Sequence, residues 1–229
     1  MTDAGAGDAA PEGRRLLLPL IGAVGAGKGT QAELLSRELG LAHLASGNLF
    51  RQALRDGTPL GEQARAYMER GDLVPDDVTI AMFTEELAKP AAAHGAVLDG
   101  FPRTAAQAEA LDAVLGRQGE RIATAVYIDV PTDELVERVS GRWVCPDCGT
   151  PYHIRSGPPA EAGICDKDGA RLTQRDDDRP DVVRARLEKQ VPPMLEVVEH
   201  YRRAGVLAHL DGDRPIDEVG QEILELLRR

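Results

Sequence analysis

The chain has 229 residues, 42% of them hydrophobic, enough to bury a sizeable core as one domain with insertions or as two small domains. Aromatic residues make up only 3%, so the core must be built from Leu, Val, Ile and Ala, which favours packed helices over an aromatic-rich sandwich. A formal net charge of −11 argues against a general nucleic-acid or anionic-membrane binder, because repulsion opposes both, yet a small polyanion held by clustered arginines remains compatible.

Residues 1–14 are small, polar and without apolar periodicity, and are expected to form a disordered leader. Arg14 and Arg15 before an apolar run resemble the start of a secretion signal, but the preceding stretch is acidic and the run flows straight into Lys28. No apolar run approaches the roughly 20 residues that span a bilayer, so a cytoplasmic location is expected.

The first buried strand is "LLLPLIG" (16–22), in which Pro19 cannot donate a ladder hydrogen bond, so a bulge or unpaired position is expected there. Then comes "GAVGAGKGT" (22–30). A P-loop has Gly, four residues, Gly-Lys and at once a hydroxyl residue; here Gly29 takes the hydroxyl position and Thr30 follows it. A strand, a Gly-rich loop and a helix nonetheless surround phosphate with backbone N–H groups, and Lys28 can reach the outer phosphates. The helix "KGTQAELLSRELG" places Ala32, Leu35 and Leu39 on one face and stops at Gly40.

A second strand is predicted at 41–44, followed by a helical excursion, and a third at 95–100. Asp99 ends that third strand, at the edge where open parallel sheets bind ligands, and can orient waters on Mg²⁺ while Arg103 clamps a phosphate. Taken alone, "DGFP" reads more readily as an ordinary turn. Further strands are predicted at 123–130 and 205–212, and the last helix starts with Pro215 and lines up Ile216, Val219, Ile223 and Leu226. Continuous apolar strands alternating with helices predict an α/β fold: a five-stranded parallel sheet with helices on both faces.

Between the fourth and fifth strands lies a segment with few apolar residues and all three cysteines. Cys145 and Cys148 form "CPDC", and Cys165 and Asp168 repeat the spacing in "CDKD". Two such turns converging make an S₃O tetrahedral site, for which zinc is the usual metal, and protein fills every position, so the zinc would be structural. Three thiols confined to one short region fit metal binding better than a disulfide framework.

Together, "GAVGAGKGTQ", "SGNLFR" (46–51), "GDLVPD" (71–76), "LDGFPRTAAQA" (98–108), "GRW" (141–143) and "RDDDRPDVVRARL" (175–187) resemble the adenylate kinase family in order and spacing from about Leu16 to the C-terminus. The cysteine segment resembles the zinc-bearing version of that family's long lid. The resemblance implies reversible phosphoryl transfer from MgATP to AMP, giving two ADP. It implies a P-loop core of 15–44, 75–140 and 179–229, an NMP-binding subdomain of 45–74 and a lid of 141–178. Lys28, Arg103, Arg138, Arg142, Arg175 and Arg186 match catalytic positions. Gly25, Ala26, Gly27, Lys28, Gly29, Thr30, Arg142, Pro151, Tyr152 and Arg214 match the ATP side. Ser46, Arg51, Asp72, Leu73, Val74, Gly100, Phe101, Pro102, Arg103, Gln107, Arg175 and Arg186 match the AMP side, with Gln107 able to pair with the adenine edge. The Gly29-Thr30 order is normal for the family, leaving Mg²⁺ to phosphates and waters with Asp99 one shell out.

The chain departs from the pattern at Asn48, where Asp is usual, at Ser46 for Thr and at Val24 for Pro. A kinase for UMP, CMP or GMP, or a non-catalytic nucleotide-binding zinc-ribbon protein, are the alternative readings. Expected partners are ATP, AMP and ADP rather than nucleic acid or membrane, and a monomer is expected.

Overall fold

The computed structural model describes residues 15–70, 72–175 and 178–228; the expected leader lies outside them. In chain order the elements are β1 (Leu16–Ile21), α1 (Lys28–Leu39), β2 (Ala42–Ala45), α2 (Ser46–Arg55), α3 (Pro59–Glu69) and α4 (Asp76–Leu87). There follow β3 (Gly95–Asp99), α5 (Ala105–Arg117), β4 (Ala125–Asp129), α6 (Thr132–Ser140), β5 (Arg142–Val144) and β6 (Pro151–His153). The chain finishes with α7 (Pro180–Arg203), β7 (Leu207–Asp211) and α8 (Ile216–Leu227).

Five strands form one parallel sheet in the order β2-β3-β1-β4-β7. Because successive strand side chains point to opposite faces, each strand feeds two cores. Leu17, Ile21, Ala96, Leu98 and Tyr127 join Phe83 of α4, Leu111 and Leu115 of α5 and Val197 and Tyr201 of α7 on one face. Leu18, Leu20, Val97, Val126 and Ile128 meet Ala32 and Leu35 of α1, Val139 of α6 and Val219 and Ile223 of α8 on the other. The apolar runs read from the sequence are therefore continuous because both faces are covered.

Pro19 lies inside the central strand, buried, and the expected bulge is absent: the register with β3 runs one-to-one from Leu16↔Gly95 to Leu20↔Asp99. The ladder with β4 begins only at Leu20↔Val126, one residue past the proline. Two residues expected on buried helix faces are also corrected. Leu39 is 36% exposed at the end of α1, and Ile216 is 52% exposed at the start of α8. Each sits at an end of its helix, whereas Ala32, Leu35, Val219 and Ile223, further in, are buried. Pro215 caps α8 from just outside rather than opening it, and Gly40 closes α1 in the left-handed conformation as expected.

Two smaller clusters stand apart from these cores. Phe50, Ala64, Val74, Val78 and Met82 hold α2 and α3 against α4. Cys145, Cys165 and Leu172, with Trp143 and Tyr152 beside them, form the other around the β5–β6 hairpin. No helix among the described residues is long and apolar enough to cross a membrane.

The α2–α3 contact depends on Gly61, because a Cβ there would lie 2.3–2.6 Å from the backbone of Ala53 and Leu54. Gly61→Ala is expected to cost about 1–3 kcal/mol through that clash. In contrast, Gly116→Ala, in a helix with no atom within 4 Å of the new methyl, should stabilise by about 0.5–1 kcal/mol. Urea unfolding midpoints that move the same way in both variants would refute this contrast.

Candidate active site

The loop after β1 leaves the sheet at its carboxyl edge, beside the ends of β2 and β3, the place where parallel sheets bind ligands. Gly25 (φ 89°) lets the loop lie against α6: a Cβ would sit 2.8 Å from Val139 Cγ2 and 2.9 Å from the Leu135 carbonyl. Ala26 is buried beneath it and Gly27 precedes α1 in the left-handed conformation. The first helical residue is Lys28, whose Nζ donates to the carbonyls of Gly22 and Ala23, both at 2.8 Å. Burial pushes its pKa down to about 8; Asp99 opposes the shift, while the positive charges of Arg103, Arg142 and Arg186 add to it.

Asp99 is the carboxylate at the centre of this cationic group. Burial pushes its carboxyl up, but the His43 ring and the charges of Lys28 and Arg103 outweigh that and hold it below the usual carboxylate range. His43 Nε2 stands 3.5 Å from Asp99 Oδ2, long for a hydrogen bond but close enough for charge to act. Gly29 faces the same oxygen: a Cβ there would lie 3.3 Å from Asp99 Oδ2. The missing hydroxyl therefore leaves the approach to Asp99 clear of any side chain from position 29, while Thr30, one residue on, is exposed.

Beyond Asp99 the chain turns through Gly100, Phe101 and a cis bond to Pro102. Gly100 is φ 71°, and a Cβ there would lie 2.8 Å from both Arg103 Nη2 and Ser46 Oγ. Arg103 Nε donates to the Gly100 carbonyl (2.8 Å) and Nη2 donates to Ser46 Oγ (3.0 Å), so Ser46, buried at the start of α2, meets the arginine directly. Burial lowers the Arg103 pKa, Asp99 opposes that and Arg186 adds to it. Phe101 stacks on Phe83 with ring centroids 4.1 Å apart, anchoring the turn in the core. Gln107, only 1% exposed, accepts the Arg103 backbone N–H on Oε1 (2.8 Å) and donates from Nε2 to Asp76 Oδ1 (2.8 Å).

On the α2–α3 side, Arg51 Nη2 donates to Asn48 Oδ1 at 2.6 Å, so the asparagine keeps an acceptor although it lacks the charge of an aspartate. Val74 is buried, Leu73 is half-buried, and Asp72 pairs with Arg70 (2.9 Å) and with Lys189 of α7 (2.6 Å).

The remaining arginines do not all converge. Arg142 is forked onto Asp178, Nε to Oδ2 at 2.8 Å and Nη2 to Oδ1 at 2.5 Å, and Asp178 is fully buried. Arg138 instead turns to the β7–α8 loop, bonding Glu134 (2.7 Å), the Gly212 carbonyl (2.9 Å) and Asp213 (2.8 Å). Arg214 pairs with Glu222 (2.5 Å) and Glu218 (3.2 Å) on α8. Arg175 and Arg186 are half-buried at either side of the start of α7. Pro151 is exposed at the start of β6, and the Tyr152 hydroxyl is engaged within the cysteine segment, accepting the Asp166 N–H at 2.7 Å and lying 3.4 Å from Cys165 Sγ. His43, Asp76 and Asp178 went unnoticed in sequence: their partners are 56, 31 and 36 residues away. For Asp178 the run "RDDDRPD" was the available signal, carboxylates packed between arginines.

The cysteine segment folds as two copies of one turn. Gly149 and Gly169, with φ 75° and 74°, donate their N–H groups to the carbonyls of Cys145 and Cys165 at 3.0 and 2.9 Å. Each turn also aims an N–H at sulfur, Cys148 at Cys145 and Lys167 at Cys165, both at 3.4 Å. The donor atoms of Cys145, Cys148, Cys165 and Asp168 all lie within 4.8 Å of one another. Cys148 Sγ and Cys165 Sγ are 3.6 Å apart, and Cys145 Sγ is 3.2 Å from Asp168 Oδ2. A tetrahedral metal with bonds of about 2.3 Å to sulfur needs edges of about 3.8 Å, so the four groups could hold a metal ion with little movement.

Comparison with known proteins agrees with this geometry. Residues 20–206 match the family described as Adenylate kinase. The adenylate kinase of Oceanobacillus iheyensis is 45% identical over 93% of this chain and 99% of its own length. Those of Geobacillus sp. (47% identical, 92% and 97% covered) and Carboxydothermus hydrogenoformans (43%, 93% and 99%) are similar to it along nearly their whole lengths. With residues 20–206 matching the family and relatives 43–47% identical along more than nine-tenths of the chain, the chain belongs to the adenylate kinase family.

Proposed function

We propose that the protein transfers the γ-phosphoryl group of MgATP reversibly to AMP, giving two ADP. The observation that carries this reading is Lys28 and Arg103 set beside Asp99 at the carboxyl edge of the sheet, with the positive charges of Arg142 and Arg186 acting on Lys28 as well. Such a concentration of positive charge suits a chain of phosphates better than any neutral substrate. The names of the similar enzymes from the three bacteria above point the same way.

In this reading the loop from Gly25 to Thr30 and the α1 N-terminus receive the outer phosphates of ATP, and Lys28 exchanges its two carbonyl partners for phosphate oxygens. Arg103, bonded to Ser46, receives the acceptor phosphate together with Arg51 of α2. That phosphate has a second pKa near 6, so at neutral pH it is already mostly anionic and needs no general base. What the site contributes is in-line alignment and cancellation of charge on the transferring group by Lys28, Arg103, Arg142, Arg175 and Arg186. Mg²⁺, when bound with ATP, supplies further neutralisation, and Asp99, unobstructed at Gly29, would hold waters around it. The segments 45–74 and 141–178 act as the acceptor-binding and lid subdomains, closing to exclude water; Arg138, Arg214 and Tyr152 would have to leave their present partners to meet ATP.

Lys28→Met is expected to reduce ADP formation from ATP and AMP by about 10²–10³-fold with an unchanged far-ultraviolet spectrum. The pH profile follows from the sign of its shift. Lys28 is charged below about 8 and neutral above, so kcat/KM for MgATP, which reports the free enzyme, should fall as pH rises through about 8. Bound phosphate favours the ammonium, so kcat itself should persist to higher pH. A wild type without ADP formation would refute the proposed function, and a flat kcat/KM profile to pH 10 would remove Lys28 from the binding step.

We further propose that Cys145, Cys148, Cys165 and Asp168 hold a structural zinc that substitutes for a core in a segment whose buried cluster is very small. Purified protein should contain about one zinc per chain by elemental analysis. Chelation, or Cys148→Ser, should lower the melting temperature. Equal melting before and after complete metal removal would contradict this role.

A further inference from the structure

We infer that Asp76 sets which way round the Gln107 amide faces, and thereby selects an acceptor base with a donor beside an acceptor in the adenine order. This rests on the proposed transfer to AMP and deepens it by naming a residue that acts through Gln107. Asp76 opens α4 and closes the stretch "GDLVPD", two residues after Val74 on the proposed AMP side. Its Oδ1 accepts two hydrogen bonds, from Gln107 Nε2 at 2.8 Å and from the Thr104 hydroxyl at 3.0 Å. Thr104 Oγ1 in turn accepts the Gln107 backbone N–H at 3.2 Å, fixing the start of α5.

An amide can be turned by 180° at almost no cost in shape, so its orientation is decided by its partners. An ionised carboxylate only accepts, so it admits Nε2 and rejects Oε1. On the opposite side the Arg103 backbone N–H only donates, and it takes Oε1 at 2.8 Å. At 1% exposure, water does not compete for either end. Each heteroatom still has one bonding site left, a lone pair on Oε1 and an N–H on Nε2. That pair matches adenine, whose amino group donates and whose ring nitrogen accepts. It mismatches hypoxanthine, in which the oxygen accepts and N1–H donates. A flipped amide would reverse the preference, and a mismatched buried pair leaves polar groups unpaired.

The test measures phosphoryl transfer from MgATP to AMP and to IMP, by chromatographic separation of the nucleotides, for wild type, Asp76→Ala, Asp76→Asn and Gln107→Ala. For Asp76→Ala the ratio of kcat/KM for AMP over IMP should fall about tenfold, with KM for AMP rising more than kcat falls. Asp76→Asn keeps the shape but can present either donor or acceptor, so the ratio should fall by a smaller factor, about threefold. This second variant decides the matter if Asp76→Ala fails to fold. Equal losses for AMP and IMP, leaving the ratio as in wild type, would overturn the inference and reduce Asp76 to a structural role. A ratio unmoved by Gln107→Ala would overturn it as well, because the amide would then not read the base. A wild type that fails to phosphorylate AMP would instead strike the proposed function itself, so the two failures are told apart.

Discussion

Holding several positive charges together at the carboxyl edge of the sheet is the constraint around which this structure is arranged. Like charges brought together in a protein repel one another, and the positive charges of Arg103, Arg142 and Arg186 add to the lowering of the Lys28 pKa. Three of these cations are given something to offset this. Lys28 rests on two loop carbonyls, Arg103 on the Gly100 carbonyl and the Ser46 hydroxyl, and Arg142 on a fully buried carboxylate. Asp99 answers more than one of them at once and stays ionised despite its burial. In the proposed reaction these same donors would exchange protein acceptors for phosphate oxygens.

The sheet explains how such distant residues meet. Parallel strands deliver every carboxyl end to one edge, and the register Leu20↔Asp99 sets the end of β3 beside the start of the phosphate loop. β2 brings His43 and Ser46 to the same edge through Ala45↔Asp99. The double-faced core beneath, built mainly from aliphatic side chains with a few aromatic ones on one face, keeps these ends in place.

The two peripheral clusters are built differently. Each has a small apolar core of its own, and ion pairs such as Asp72–Lys189 and Arg155–Glu137 connect them to the main body. Exposed pairs of this kind contribute about 0–1 kcal/mol, enough to bias an arrangement without locking it. In the cysteine segment the local order comes from two identical turns, whose shape is fixed by glycines and by N–H groups pointed at sulfur.

Much of this was legible in the sequence, for a local reason. Apolar runs, a Gly-rich turn, cysteines at fixed spacing and Gly40 after a periodic helix all depend on neighbours within a few residues, and the strands, the α1 stop and the paired knuckles stand where those signals put them. Burial at helix ends was not legible: periodicity selects the face of Leu39 and Ile216, but tertiary packing decides whether the end of that face is covered. Pro19 is the converse case, a residue locally unsuited to a central strand, accepted because pairing with β4 starts one residue later. Tertiary structure alone gave Asp178 to Arg142, Asp76 to Gln107 and His43 to Asp99, and it turned Arg138 and Arg214 away from the cluster. The sequence determined which elements form and which groups the chain possesses, because local backbone preference and apolar patterning act over short range. Which charge faces which depends on strand order and register, and those exist only once the sheet has assembled.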